Sequence, residues 1–288
     1  MDRYEIFMDV SGEINHLLVE QGKITLIPMD VAAEEDVMRI TGNEDESQLI
    51  SFYENIIRVG KRVSTTQITP NKYVEYFSSC LEKGISVLHL CLSSGLSSSF
   101  SSAMVASEML KEKYPNAVFM PIDSIRATGG MSVIADRMIA NKEKGMSIQE
   151  NYDDIENLKH KVITTGFIDD LDTLKRGGRI SPTIAFVGKL LSIKPIIKIT
   201  EDGKLDMFDK KRGQMLSMKV LLDLLKENIS PDCKKVFITH TNEMRLSNRL
   251  KEQIIELFPD VDVEILFLSP IIGAHLGIGS VVVSYFAK

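Results

Sequence analysis

The chain has 288 residues, of which 44% are hydrophobic and 26% charged, and its formal net charge is −6. That length exceeds what one hydrophobic core usually organises, and the composition is that of an ordinary globular protein, so two domains are expected and disorder is excluded. An acidic balance with no basic stripe of interleaved aromatics lacks the electrostatic term that dominates nucleic-acid affinity, and nucleic acid is not expected as a partner.

In chain order, residues 4–8 and 24–27 read as strands, and 85–92 is a nearly continuous apolar run expected to be a buried strand. A helix follows it, because Phe100, Ala103, Met104, Ser107 and Leu110 recur at three-and-four spacing. Residues 117–122 read as the next strand, and Gly129-Gly130 opens a helix carrying Val133, Ile134, Met138 and Ile139. After the charged, helical stretch 147–160 the character of the chain changes. The later half is expected to hold strand 162–165, a short helix closed by Gly177 and Gly178, and a hairpin turning at Asp202-Gly203 between 193–200 and 204–208. Helix 213–228, strand 235–239, helix 244–258, strand 261–267 and strand 281–286 complete it. The expected fold class is α/β in two domains: a layered N-terminal domain with a mostly parallel sheet over 1–160, and a two-layer α+β domain over 161–288.

Three cysteines, Cys80, Cys91 and Cys233, are odd in number and unrelated in spacing, which argues against a disulfide framework or a zinc site and suits a reducing cytoplasm. Asp2, Glu5, Asp9, Glu13 and Glu20 do not fit the basic-then-apolar pattern of a signal peptide. No apolar run reaches the length of about 18 residues that signals a membrane span.

Four polar clusters are candidates for chemistry. Ser93-Ser94-Gly95-Leu96-Ser97-Ser98-Ser99-Phe100 lies between a buried strand and a helix start, where unpaired backbone N–H groups favour an anion; one serine as an N-cap is the plainer reading. Ser64-Thr65-Thr66-Gln67-Ile68-Thr69-Pro70 suits a cap for the helix that Pro70 would begin. Gly273-Ala274-His275-Leu276-Gly277-Ile278-Gly279-Ser280 reads as a glycine-spaced loop holding a lone histidine; a strand follows it, so a dinucleotide loop is rejected. Leu174-Lys175-Arg176-Gly177-Gly178-Arg179-Ile180-Ser181-Pro182 places three cations around two glycines, which suits either the end of a helix or a phosphate-binding or partner-docking surface. The phosphate-loop, H-E-x-x-H and G-x-S-x-G motifs are absent, and the histidines at 16, 89, 160, 240 and 275 lack metal-ligand spacing, so no metal is expected.

The order of these motifs, together with Asp9-Val10-Ser11, Ile122-Asp123-Ser124 and Ile193-Lys194-Pro195-Ile196, resembles the DegV family of fatty-acid-binding proteins from about residue 4 to the end of the chain. The chain departs from the family pattern in having Asp9-Val10 for Asp-Ser, Leu96-Ser97-Ser98-Ser99-Phe100 for Leu-Ser-Gly-Thr-Tyr, and Gly277-Ile278-Gly279 for Gly-Pro-Gly. The resemblance implies a long-chain fatty acid lying in a tunnel between the domains and no other cofactor. It implies Thr65 and Ser97, with Ser94, as donors to the carboxylate, and His275 as the group that orients or polarises the same oxygens. It further implies that the protein is not itself an enzyme but presents the carboxylate to a separate fatty acid kinase catalytic subunit, which makes the acyl phosphate, with Arg179 on the face that meets the kinase. Two other readings stay open at this stage: a serine hydrolase of lipid esters using Ser97 or Ser94 with His275 as base, and a lipid sensor without a kinase.

Overall fold

The computed structural model describes residues 3–169, 171–180 and 192–288. The first half runs β1 (Tyr4–Asp9), α1 (His16–Glu20), β2 (Thr25–Ile27), β3 (Met29–Ala33), β4 (Asp36–Ile40), α2 (Glu46–Phe52), a π-helical turn (Tyr53–Ile57), β5 (Val63–Thr65), α3 (Pro70–Leu81), β6 (Ser86–Cys91), α4 (Ser99–Lys113), β7 (Phe119–Asp123), α5 (Gly129–Glu143) and α6 (Ile148–Leu158). The second half runs β8 (Val162–Phe167), α7 (Asp172–Gly177), β9 (Ile193–Ile199), β10 (Leu205–Arg212), α8 (Gln214–Asn228), β11 (Lys235–His240), α9 (Met244–Leu257), β12 (Asp262–Phe267), α10 (Pro270–Leu276) and β13 (Val281–Phe286).

Four parallel strands in the order β2-β1-β6-β7 form the first sheet. Its inner strand β6 is apolar along most of its length because both faces are covered. Val87 and Cys91 face a cluster built with Tyr73, Phe77 and Ala103 of α3 and α4, whereas Leu88 and Leu90 face Ile134 and Met138 of α5. The buried side of α4 is made by Ser99, Ser102, Ala103, Ala106 and Leu110. Met104, placed on that side by its spacing, is instead 45% exposed, because small residues let α4 lie close to the sheet and leave a long side chain no room.

Between Gly129 and Ile139, α5 has small or apolar residues on nearly every side, and all but two of those residues are buried. A helix of that composition belongs in an interior. It packs on β1 of the first sheet and on β8, β11 and β13 of the second. The second sheet has six strands in the order β10-β9-β8-β13-β11-β12. Helices α8 and α9 cover one face, where Met218, Leu221 and Leu250 meet Val281, Val283 and Tyr285. The opposite face receives α5, whose Gly129 lies against Ser284 and Phe237. The second half thus completes its burial with a helix from the first.

Besides Met104, and besides α1, α2 and the π-helical turn, which the sequence reading did not include, two further features differ from the sequence expectation. Residues 29–40 and 63–65 form a small antiparallel sheet, β4-β3-β5, which the sequence did not announce because β4 is largely exposed and β5 has only three residues. The presumed glycine loop at 273 is the helix α10, started by Pro270 and capped by Ser269, whose Oγ accepts from the Ile271 N–H at 3.3 Å. Gly273 marks a close approach there, since a Cβ at that position would run into the Tyr53 hydroxyl. Ser181 and Pro182 of the cation-glycine motif lie outside the described residues.

A Cβ added at Gly130 would meet Oγ1 of Thr164 on β8. Gly130→Ala is expected to cost about 1–3 kcal/mol in urea unfolding by forcing α5 off the second sheet, and Thr164→Ala in the same chain is expected to recover part of that loss.

Candidate functional site

A cavity of about 750 Å³, its mouth included, opens beyond the carboxyl ends of the parallel strands, between the two large sheets. Ligands in open α/β sheets collect at that end, where loops diverge. Its lining, mostly apolar with a few polar groups, is that of a small-molecule site. Leu92, Ile197, Ile199, Leu205, Ile272 and Val282 supply apolar wall. Ile197 and Ile199 recur at the two-residue period of β9, with their side chains on the sheet face that α8 leaves free. Thr128 and Thr164 also line it, but their hydroxyls are already engaged, with Thr239 at 2.7 Å and Ser284 at 3.2 Å.

Polar groups gather where the cavity meets an outer cleft. Thr65, Thr66, Gln67, Ser97 and Arg179 line both spaces. Thr65, the last residue of β5, lies 2.9 Å through Oγ1 from Nε2 of His275 on α10. These residues are 210 positions apart, so the pairing is a product of the fold. Nδ1 of His275 has no hydrogen-bond partner among the described residues. Burial, and then the nearby Arg179, push the His275 pKa down to about 4, so the ring is neutral at pH 7.

The glycine pair after α7 has two separate duties. Gly177 has no room for a Cβ, which would strike Nδ1 of His275. Gly178 ends the helix in the left-handed conformation at φ 66°, where its N–H bonds to the Lys175 carbonyl. The turn carries Arg179 back over the serine loop, with Nε 3.4 Å from the Leu96 carbonyl.

The serine loop divides its side chains between structure and cavity. Ser93 is buried and donates to the Gly203 carbonyl at 2.7 Å, fastening the loop to the tip of the β9–β10 hairpin. Ser97 lines the cavity, with Oγ 2.9 Å from the Ser99 hydroxyl and accepting from the Ser99 N–H at 3.2 Å. Ser98 holds the N-cap position of α4 without a side-chain cap. Ser94 lines the outer cleft and not the cavity, and its N–H is donated to Asp123 at 3.1 Å. Capping does not occupy Thr69 either: it precedes α3 with no side-chain bond.

Asp9 fixes where the serine loop begins. Its Oδ2 accepts from the Leu92 N–H at 2.9 Å, and its Oδ1 accepts from Tyr73 at 3.0 Å and faces Nε2 of His89 at 2.9 Å. Asp9, His89 and Cys91 offer ligand atoms within 4.8 Å of one another. The His89 ring, however, turns Nε2 to Asp9 and Nδ1 to Cys91, so the trio does not converge on one point. It reads as a hydrogen-bonded brace.

The structure places Thr65, Ser97 and His275, together with Arg179, on the lining of one cavity, and Ser94 in the cleft just outside it. Sequence reasoning missed Gly177 as the residue that admits His275, for which the doubled glycine was the available signal. Thr66 and Gln67, which the sequence reading noted only within the capping motif beside Thr65, line the cavity as well. A hydrolase would need a base beside Ser97 and an acid behind it; here Nε2 of His275 goes to Thr65, and the charged neighbour acting on the ring is Arg179.

Comparison with known proteins agrees along the whole chain. The DegV family model matches residues 3–288. A DegV domain-containing protein of Clostridium perfringens is 34% identical over 286 residues, covering 99% of this chain and 98% of that protein. The structure of DegV, a fatty acid binding protein from Bacillus subtilis, is 26% identical with a TM-score of 0.85 and covers 100% of both chains. The Streptococcus pneumoniae fatty acid kinase B3 protein loaded with linoleic acid has a TM-score of 0.86 at 20% identity, covering 99% of this chain and 100% of that one, a likeness of fold.

His275 makes stability depend on acid. Its folded pKa of about 4 lies below the unfolded value of about 6.5, so the stabilisation is full above 6.5 and is lost as pH falls through 4. His240, pushed down to about 4 by burial, acts in the same sense, and Glu13, pushed up to about 7, acts oppositely between about 4.5 and 7. Urea titrations at pH 7 and pH 4 are therefore expected to show a smaller acid loss in His275→Gln than in the wild type, by up to about 3 kcal/mol.

Proposed function

The chain belongs to the DegV family, and on that premise we propose that it binds a long-chain fatty acid in the cavity between its halves and presents the carboxylate to a separate kinase subunit. The observation that carries this reading is a cavity with largely apolar walls whose polar groups collect at the end that opens outward. A tail of roughly fourteen methylenes buried there would contribute about 11 kcal/mol before ordering costs. The head group needs compensation, because a carboxylate taken out of water costs several kcal/mol unless it receives hydrogen bonds.

In this reading Thr65 and Ser97 donate to the carboxylate. A neutral His275 with its proton on Nε2 donates to Thr65 Oγ1 and leaves the threonine proton free for the ligand. Ser94, in the outer cleft, takes part at the entrance. Arg179 flanks both spaces and belongs to the surface that meets the kinase. The Bacillus subtilis neighbour is described as a fatty acid binding protein, which supports the binding role, and the Streptococcus pneumoniae neighbour as a fatty acid kinase B3 protein loaded with linoleic acid, which suggests the kinase partner. The protein acts in this reading as a carrier in the cytoplasm and not as a catalyst. No helix among the described residues is long and apolar enough to cross a membrane. We place the division between the halves near residue 160, since the first sheet ends with β7 at Asp123 and the second begins with β8 at Val162.

Protein purified from a bacterial host is expected to carry fatty acid, which denaturing mass spectrometry would detect; repeated preparations free of lipid would sink the reading. Ser97→Ala and Thr65→Val are each expected to weaken fatty-acid binding by about 1–3 kcal/mol in titration, through loss of a hydrogen bond to a charged group.

A further inference from the structure

We propose that Glu13 and Tyr53 are positioning residues of this site: they grip the start of α10 from the first half of the chain and thereby set where His275 stands against Thr65. The inference rests on the reading that His275 serves the fatty-acid head group.

Helix α10 has only seven residues, too few to hold its own direction, so its tertiary contacts set it: it packs on α7, β3 and β5, and two polar contacts fix its start. It contributes Ile271, Ile272, His275 and Leu276 to the cavity wall. On the other side it is held by two buried polar groups. The Ser269 N–H donates to Oε1 of Glu13 at 2.9 Å, and the Tyr53 hydroxyl donates to the Leu268 carbonyl at 2.6 Å. Tyr53 also occupies the space that a side chain at Gly273 would need. Glu13 is anchored in turn, because its carbonyl accepts from the Ser132 hydroxyl on α5, the helix both sheets share. The two bonds to α10 span 256 and 215 residues of sequence.

The arrangement is costly, which is why a role in geometry is the economical account. Tyr53 is fully buried and Glu13 is 7% exposed, and Oε2 of Glu13 has no hydrogen-bond partner among the described residues. Burial pushes the carboxyl up to about 7, and Glu13 adds to the burial that raises the Tyr53 hydroxyl. An apolar pair of the same volume would fill the space without that penalty. It would not fix the direction of a helix.

The lever is long enough to matter. From Ser269 to His275 the helix rises about 9 Å, so a tilt of about 6° at its start moves the ring by about 1 Å. A displacement of that size breaks a hydrogen bond of 2.9 Å such as that of His275 with Thr65.

The test uses Tyr53→Phe, Glu13→Gln and Glu13→Ala in the full chain, with two readouts: the imidazole nitrogen resonances of His275 in lipid-stripped protein, and the dissociation constant for palmitate. Tyr53→Phe removes one hydroxyl and little volume; it is expected to shift the His275 resonances and to weaken palmitate about tenfold, the worth of one hydrogen bond. Glu13→Ala is expected to do at least as much. Glu13→Gln keeps a carbonyl oxygen for Ser269 and is expected to stay within about threefold of the wild type. A folded Tyr53→Phe with wild-type His275 resonances and wild-type affinity overturns the inference, even if Glu13→Ala fails to fold. The resonance measurement needs no lipid: a wild type that does not bind palmitate defeats the fatty-acid reading, while the ring signals of the variants still decide whether α10 is set by Glu13 and Tyr53.

Discussion

The burial of α5 on both sides is the constraint from which the rest of the architecture follows. A helix that is apolar nearly all round must be enclosed, and neither sheet alone can enclose it. It lies on β1 of the parallel sheet and on β8, β11 and β13 of the mixed one, so the two sheets are held face to face about a common helix. Beyond the beginning of α5 the enclosure ends, and Ala127 and Thr128 there become cavity wall. The space between the sheets is therefore a consequence of where the shared helix starts. Thr128 reaches it with φ 48°, an uncommon conformation for a β-branched residue, held by its N–H to the Ser11 carbonyl and its hydroxyl to Thr239.

The site divides its labour by distance from that core. Deep in the cavity the threonine hydroxyls are each bonded to a neighbouring side chain, Thr128 to Thr239 and Thr164 to Ser284. At the mouth, Thr65, Ser97 and His275 stand on three different segments, and those of Ser97 and His275 are set by groups behind them. Asp9 holds the start of the serine loop, Ser93 fastens that loop to the hairpin, and Gly177 lets α7 close over His275. Such backing groups decide the geometry of a site as much as the residues that would touch a ligand.

Electrostatics sharpen the picture. His275 is neutral because the protein removes its water, and Arg179 reinforces the effect. A neutral ring bonded to a hydroxyl is suited to orienting a donor. Arg179 itself sits at the boundary between cavity and cleft and lines both.

Much of this was legible in the sequence. Period and punctuation placed most strands to within a few residues, since apolar runs such as β6 and turns such as Asp202-Gly203 are local consequences of side-chain type. The motif order brought Thr65, Ser97, His275 and Arg179 to notice. Other features were illegible for a physical reason. The small sheet β4-β3-β5 has little burial to pattern it, and α10 looked like a loop because Gly273 answers to Tyr53, a residue 220 positions away. Sequence by itself determined most of the elements, the acidic net charge, and which polar residues were available. Only the tertiary structure decided that Thr65 meets His275, that Ser94 stands outside the cavity while Ser97 lines it, and that the second sheet borrows its cover from the first half. Those are contacts between distant segments, and they are fixed by the packing of whole faces, which no local stretch of chain encodes.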